Sequence, residues 1–195
     1  MTLLDTLDHS VLLDKLEYYG VQNNALQWFK SYLTNRYQYV DFNGTLSSKL
    51  PLTTGVPQGS ILGPLMFIIY MNDIYKVSDK FHSILYADDT TLESPLCTFD
   101  TSGVNNKYRL DTLSKNINEE LNFVYEWLCL NKLSLNIKKT KFMIFHHRQR
   151  NIESIIPNLS INGHVIERVR DFNFLGLTFD EHMTWDSHIN NASVK

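Results

Sequence analysis

The sequence predicts an α+β fold. Three observations predict it. Helical and strand-like segments follow one another without the regular alternation of a parallel sheet, Asn43-Gly44 and Asn162-Gly163 carry the two-residue hairpin signal, and residues 108–130 read as one long amphipathic helix. With 195 residues, 43% of them hydrophobic, the chain can build one core of ordinary size in a single domain with no obvious linker.

The elements follow in order. Residues 10–19 read as a helix with Val11, Leu12, Leu16 and Tyr19 on one face, Asp8 as N-cap and Gly20 as stop. Residues 24–33 form a second, turning Leu26, Phe29 and Leu33 inward. Residues 37–42 alternate as a strand, Asn43-Gly44 turns it, and 46–52 return. Pro64 suits the first turn of a helix that Leu65-Met66-Phe67-Ile68-Ile69-Tyr70 continues as a buried one. Residues 83–92 read as strand, tight turn and strand, with Asp88 and Asp89 at the tip. Residues 95–107 are polar and contain Gly103, as a loop would. In the long helix, Leu113, Ile117, Leu121, Val124 and Leu128 recur at steps of three and four. Short strands then follow at 141–146, 159–161 and 172–179.

The chemistry is concentrated in two places. Within Tyr86-Ala87-Asp88-Asp89, neighbouring carboxylates repel each other, so folding gains nothing obvious from the pair. A divalent cation between them reverses that cost, because magnesium takes hard oxygen ligands and needs few from protein. Two-metal phosphoryl transfer uses carboxylates in this way. Taken alone, Asp-Asp also fills a hairpin turn well. The second place is Gly55-Val56-Pro57-Gln58-Gly59-Ser60-Ile61-Leu62-Gly63-Pro64, with three glycines and two prolines in ten residues. Glycine lets a backbone or ligand approach closely, proline stiffens, and Gln58 is a lone amide able to donate and accept toward whatever enters the loop. An ordinary connection would not require Gln-Gly-Ser between its prolines.

Together these two motifs resemble the palm of a reverse transcriptase, of the jockey-like kind encoded by non-long-terminal-repeat retrotransposons. Flanking segments extend the resemblance in the right order. Asp5-Thr6-Leu7-Asp8-His9 and Val11-Leu12-Leu13-Asp14-Lys15-Leu16 resemble the end of the first catalytic motif. Trp127-Leu128, Asn131-Lys132-Leu133-Ser134-Leu135-Asn136 and Lys138-Lys139-Thr140-Lys141 resemble the lysine-bearing motif, and Phe174-Leu175-Gly176-Leu177 the primer-gripping hairpin.

The resemblance implies a fold and a site. Residues 1–180 would be a partial reverse transcriptase palm with part of the fingers-palm helices, and 181–195 the start of the thumb or a connecting segment. Asp88 and Asp89 would be catalytic and hold Mg²⁺, with Mn²⁺ as a substitute. Gln58, Gly59 and Tyr86 would face nucleotide and template, Tyr86 either packing under the site or reaching the template with its hydroxyl. Lys139 would place a cation near the leaving phosphate, although Lys138 to Lys141 reads equally as a solvated basic turn. Phe174, Leu175 and Gly176 would support the primer end, or belong to the core. Aligned on Asp5-Thr6, the leading metal-binding Asp of the first motif falls before Met1, and the residue that senses the sugar falls on Leu4. The chain therefore reads as N-terminally truncated, with two carboxylates where the family uses three, and is expected to be inactive alone.

Composition agrees with a fragment. The net charge of −3 predicts weak binding of RNA or DNA by this chain alone. Cys97 and Cys129 lie far apart without metal-ligand spacing, as suits a reducing intracellular compartment, nucleus or cytoplasm. His146-His147 has no partner at zinc spacing and reads as a solvated strand end. No apolar run is long enough to span a bilayer, and no secretory signal is visible. The expected function is RNA-directed DNA synthesis in a longer parent enzyme, with RNA template, DNA primer and deoxynucleotides as partners and the oligomeric state left open. The alternatives are an inactive relic and a non-catalytic palm that binds RNA or protein.

Overall fold

The computed structural model describes residues 5–57, 59–87, 89–94, 106–149, 152 and 156–193, with the backbone alone at 106–110. The chain gathers into two units, Met1–Pro95 with Glu126–Ser134, and Leu96–Tyr125 with Leu135–Lys195. Helices and strands are mixed, as an α+β fold requires.

In the first unit, α1 (His9–Tyr18) starts where Asp8 turns out of extended backbone and its carboxylate accepts from Ser10 N and Val11 N. It ends in a Schellman motif. Gly20 N donates to Glu17 O and Val21 N to Leu16 O, both at 2.9 Å, with Gly20 at φ +93°. Leu12 and Leu16 point inward from α1, against α2 (Asn23–Leu33) and α3 (Leu62–Met71). The fully buried side chains of this unit are Leu7, Leu12, Leu16, Leu33, Met66 and Tyr70. Each apolar side chain of that size stabilises the fold by about 1.5–3 kcal/mol when removed from water.

The strand expected at 37–42 is two pieces. Its first part, β1 (Tyr37–Gln38), pairs with β4 (Leu50–Pro51), and β2 (Asp41–Phe42) pairs with β3 (Thr45–Leu46) around Asn43-Gly44. The ladder breaks between them because Val40 N donates to the Ser47 hydroxyl at 2.9 Å instead of to a backbone carbonyl. Both turn residues have positive φ, 50° and 81°, as a type I′ hairpin demands. After α3 and a short 3₁₀ turn (Ile74–Lys76), β5 (His82–Tyr86) and β6 (Asp89–Glu93) form an antiparallel hairpin.

α4 (Asn106–Leu130) begins inside the segment expected as loop, and residues 95–105 of that segment lie outside the described residues. Its Ile117, Leu121 and Val124 are buried, while Leu113 and Leu128 are half-buried. The rest of the second unit is built of short strands. β7 (Lys141–Phe142) is shorter than the expected 141–146 and pairs in parallel with β10 (Glu167–Arg168). β8 (Ser160–Ile161) and β9 (His164–Val165) flank Asn162-Gly163 as expected. The segment 172–179 is not one strand but a hairpin of β11 (Asp171–Phe174) and β12 (Leu177–Asp180). α5 (Asp186–Ser193) follows a turn in which Asp180 accepts from the backbone of His182, Thr184 and Trp185. No helix among the described residues is long and apolar enough to cross a membrane.

Candidate active site

The glycine-rich loop sits against the end of the first motif. Asp8 and Thr54 form an isolated antiparallel bridge, Gly55 N donates to Leu7 O at 2.8 Å, and His9 Nε2 lies 2.7 Å from Gly55 O. Gly55 is required there. Its φ is +82°, and a Cβ would lie 2.9 Å from Asp5 O. Close backbone approach is thus the reason for this glycine. Gly59 differs, with φ +79° and open space where a Cβ would go. Ser60 closes the loop onto α3, its hydroxyl donating to Pro57 O at 2.9 Å and accepting from Gly63 N at 3.1 Å. Gln58 lies outside the described residues.

The acidic hairpin departs from expectation in one respect. Tyr86 pairs with Asp89, so Asp89 is the first residue of β6 rather than part of the tip. Ala87 has φ +49°, a left-handed angle that costs an alanine roughly 1–2 kcal/mol. Asp88 lies outside the described residues. Asp89 is exposed, and among the described residues no lysine or arginine pairs with it. Tyr86 is 58% exposed.

One connection was not legible. Asp8, besides capping α1, accepts from Lys132 Nζ at 2.7 Å. Lys132 occupies the left-handed C′ position of α4 at φ +54°, where Leu133 N donates to Leu128 O and Lys132 N to Cys129 O. Burial disfavours the charged Asp8, but hydrogen bonds from Lys132, Ser10 and Val11 and the Lys132 charge outweigh it and hold the carboxyl at about 2. Beneath, Tyr70 donates its hydroxyl to the buried Asn131 O at 2.6 Å, and burial pushes that phenol up to about 12. Lys15 donates to Tyr70 O and Asp73 and lies 4.7 Å from the Trp127 ring centre, with burial lowering its pKa. The only signal for this network in the sequence was the motif Asn131-Lys132-Leu133-Ser134 itself.

The remaining expected residues belong to the second unit. Lys139 is exposed on a turn where its N–H donates to Asn136 O at 3.0 Å, so the solvated-turn reading describes its local state. Leu175 and Gly176 are the two turn residues between β11 and β12, at φ 51° and 83°. Leu175 is 48% exposed and Phe174 half-buried, so Leu175 is not core. His146 departs from expectation more strongly. Its side chain is nine-tenths buried rather than solvated, because His146 N pairs with Glu181 O at 3.0 Å and carries the ring inward. A groove of about 450 Å³ lined by Asp111, Asn118, Glu119, Asn122, Ile156 and Asn158 contains no motif residue. Asn118 and Asn122 there hydrogen-bond the backbone of 158–162, which makes it a packing seam.

A family model described as reverse transcriptase (RNA-dependent DNA polymerase) matches residues 4–179. The chain belongs to this family. Within it, the chain is similar to jockey-like members. It is 29% identical over 171 residues to the RNA-directed DNA polymerase from mobile element jockey of Drosophila melanogaster, covering 83% of this chain and 17% of that protein. It is 26% identical over 200 residues to the probable RNA-directed DNA polymerase from transposon BS of the same species, covering 95% and 20%. A polyprotein from the type-1 retrotransposable element R2 of Popillia japonica is 25% identical over 100 residues, covering 45% and 16%. The chain spans about a fifth or less of the length of these relatives.

Proposed function

We propose that this chain is the palm segment of a retrotransposon RNA-directed DNA polymerase, with residues 1–180 as palm and 181–195 as the start of the thumb. The observation that carries the reading is Asp89, an exposed carboxylate opening β6 opposite Tyr86, with no basic partner among the described residues. Among the described residues its charge contributes no ion pair to the fold, which leaves both carboxylate oxygens free to ligate.

Asp88 and Asp89 are the hard oxygen donors that would hold Mg²⁺ or Mn²⁺, and the ion supplies the charge that brings hydroxyl and phosphate together. In the reaction, a primer 3′ oxygen forms a bond to the α-phosphorus of a deoxynucleotide as the bond to pyrophosphate breaks. The Gln58-Gly59 loop receives the nucleotide over the open face at Gly59, and Tyr86, an exposed side chain, faces the template. Lys139 is an exposed cation on a turn of the second unit, the kind of group that stabilises a leaving phosphate. Leu175 and Gly176, the exposed turn of the second hairpin, support the primer end.

The test is primer extension on an RNA template with Mg²⁺ or Mn²⁺, the segment being carried in the corresponding region of the jockey polymerase. Incorporation that Asp89→Ala abolishes supports the proposal. Incorporation unchanged by Asp89→Ala refutes the metal role, and no incorporation with the unaltered segment favours the relic.

A further inference from the structure

We propose that His146, Glu181 and His182 bind one divalent transition-metal ion of the zinc class, at residues distinct from the acidic pair. The cluster is the one set of potential metal ligands among the described residues whose donor atoms converge, all lying within 4.8 Å of one another. His146 Nε2 is 3.6 Å from Glu181 Oε2, and His182 Nε2 is 4.0 Å from Glu181 Oε1. Donors bonded at about 2 Å around a tetrahedral ion lie roughly 3.3 Å apart. Closing the site therefore takes side-chain rotations that draw the donors together by roughly 0.3–1.5 Å.

The ring orientations point the same way. His146 Nδ1 lies 3.1 Å from His147 O, and His182 Nδ1 lies 3.2 Å from His146 O. A carbonyl only accepts, so both Nδ1 atoms carry hydrogen, and each ring turns its Nε2 toward Glu181, as a lone pair whenever the ring is neutral. A backbone carbonyl holding the far nitrogen is the usual outer support of a metal-bound histidine. The two rings meet edge to face, with centres 4.5 Å apart. The second observation is independent of this clustering. His146 Nε2 is buried without a hydrogen-bond partner, on a side chain nine-tenths buried. A buried lone pair facing a carboxylate is unfavourable unless a cation stands between them.

Two further charges face the carboxylate. Arg168 donates to Glu181 Oε2 at 2.7 Å, and Arg170 Nε lies 3.9 Å from Oε1. Arg168 fixes the carboxylate and weakens its pull on a metal. With two imidazoles and one shared carboxylate, the donor set suits zinc, copper or nickel and not an oxygen-seeking magnesium. Three protein ligands leave a fourth position for water. The ion would pin the segment after β7 to the residues after β12, within one unit.

The test is titration of the full chain with Zn²⁺ against a chromophoric chelator, with Co²⁺ absorption as the geometric probe. One ion per chain and the intense visible bands of tetrahedral cobalt are expected. His146→Ala and His182→Gln, each checked for folding by circular dichroism, should weaken binding at least about tenfold, and His147→Ala should leave it unchanged. His182→Gln keeps the test valid if His146→Ala does not fold, because the His182 side chain is partly exposed. No stoichiometric binding, or binding that survives both substitutions, overturns the proposal.

Discussion

Asp8 and Lys132, 124 residues apart, are joined at 2.7 Å, and the same aspartate caps α1 through its other oxygen. One carboxylate thus fixes both the start of α1 and the end of α4. Removing it leaves two N–H groups of α1 uncapped and an ammonium unpaired. Asp8→Ala should lower stability by about 1–2 kcal/mol in urea unfolding. Asp8→Asn, which still caps but carries no charge, should cost about half as much.

The pH dependence follows from the same group. Its folded pKa of about 2 lies below the ordinary 3.8, so the unfolded chain takes up the proton first. The stabilisation is complete above about pH 4 and is lost as pH falls through about 2. With solvent screening of a partly exposed pair, it amounts to about 1 kcal/mol. Asp180, also held low, adds a loss in the same direction. Urea midpoints measured from pH 5 down to 2 should fall, and Asp8→Asn should flatten the curve.

Tyr70 places its hydroxyl on the buried Asn131 carbonyl. Tyr70→Phe keeps the ring and orphans that acceptor, so a loss of about 1–3 kcal/mol is expected in chemical denaturation.

The two loop glycines should respond differently. Gly55→Ala meets Asp5 backbone at 2.9 Å as well as an unfavourable φ, and should cost more than about 2 kcal/mol. Gly59→Ala meets nothing and should cost about 1 kcal/mol, from φ alone. Equal denaturation midpoints for the two variants would contradict the close approach at Gly55.

What was legible in the chain follows the range of each interaction. α1 could be read from Asp8, the apolar steps and Gly20, because cap, face and stop all lie within one segment. The Asn-Gly hairpins were legible because two residues carry the whole turn. Leu175-Gly176 makes the same turn without the asparagine, so 172–179 read as one strand. The burial of His146 depends on pairing with Glu181, and the Asp8–Lys132 bond joins segments more than a hundred residues apart. Neither leaves a local pattern. The motifs of the site were legible, whereas Asp89 entering the strand was set by the Tyr86 pairing.

The most direct measurement of the acidic-pair claim is paramagnetic broadening of backbone amide resonances by Mn²⁺ in the full chain. The amides of Tyr86, Ala87 and Asp89 should broaden first, and a chain with both Asp88→Asn and Asp89→Asn should lose that effect while staying folded. Broadening that leaves these amides sharp, or that persists in the double variant, would contradict a metal held by this hairpin.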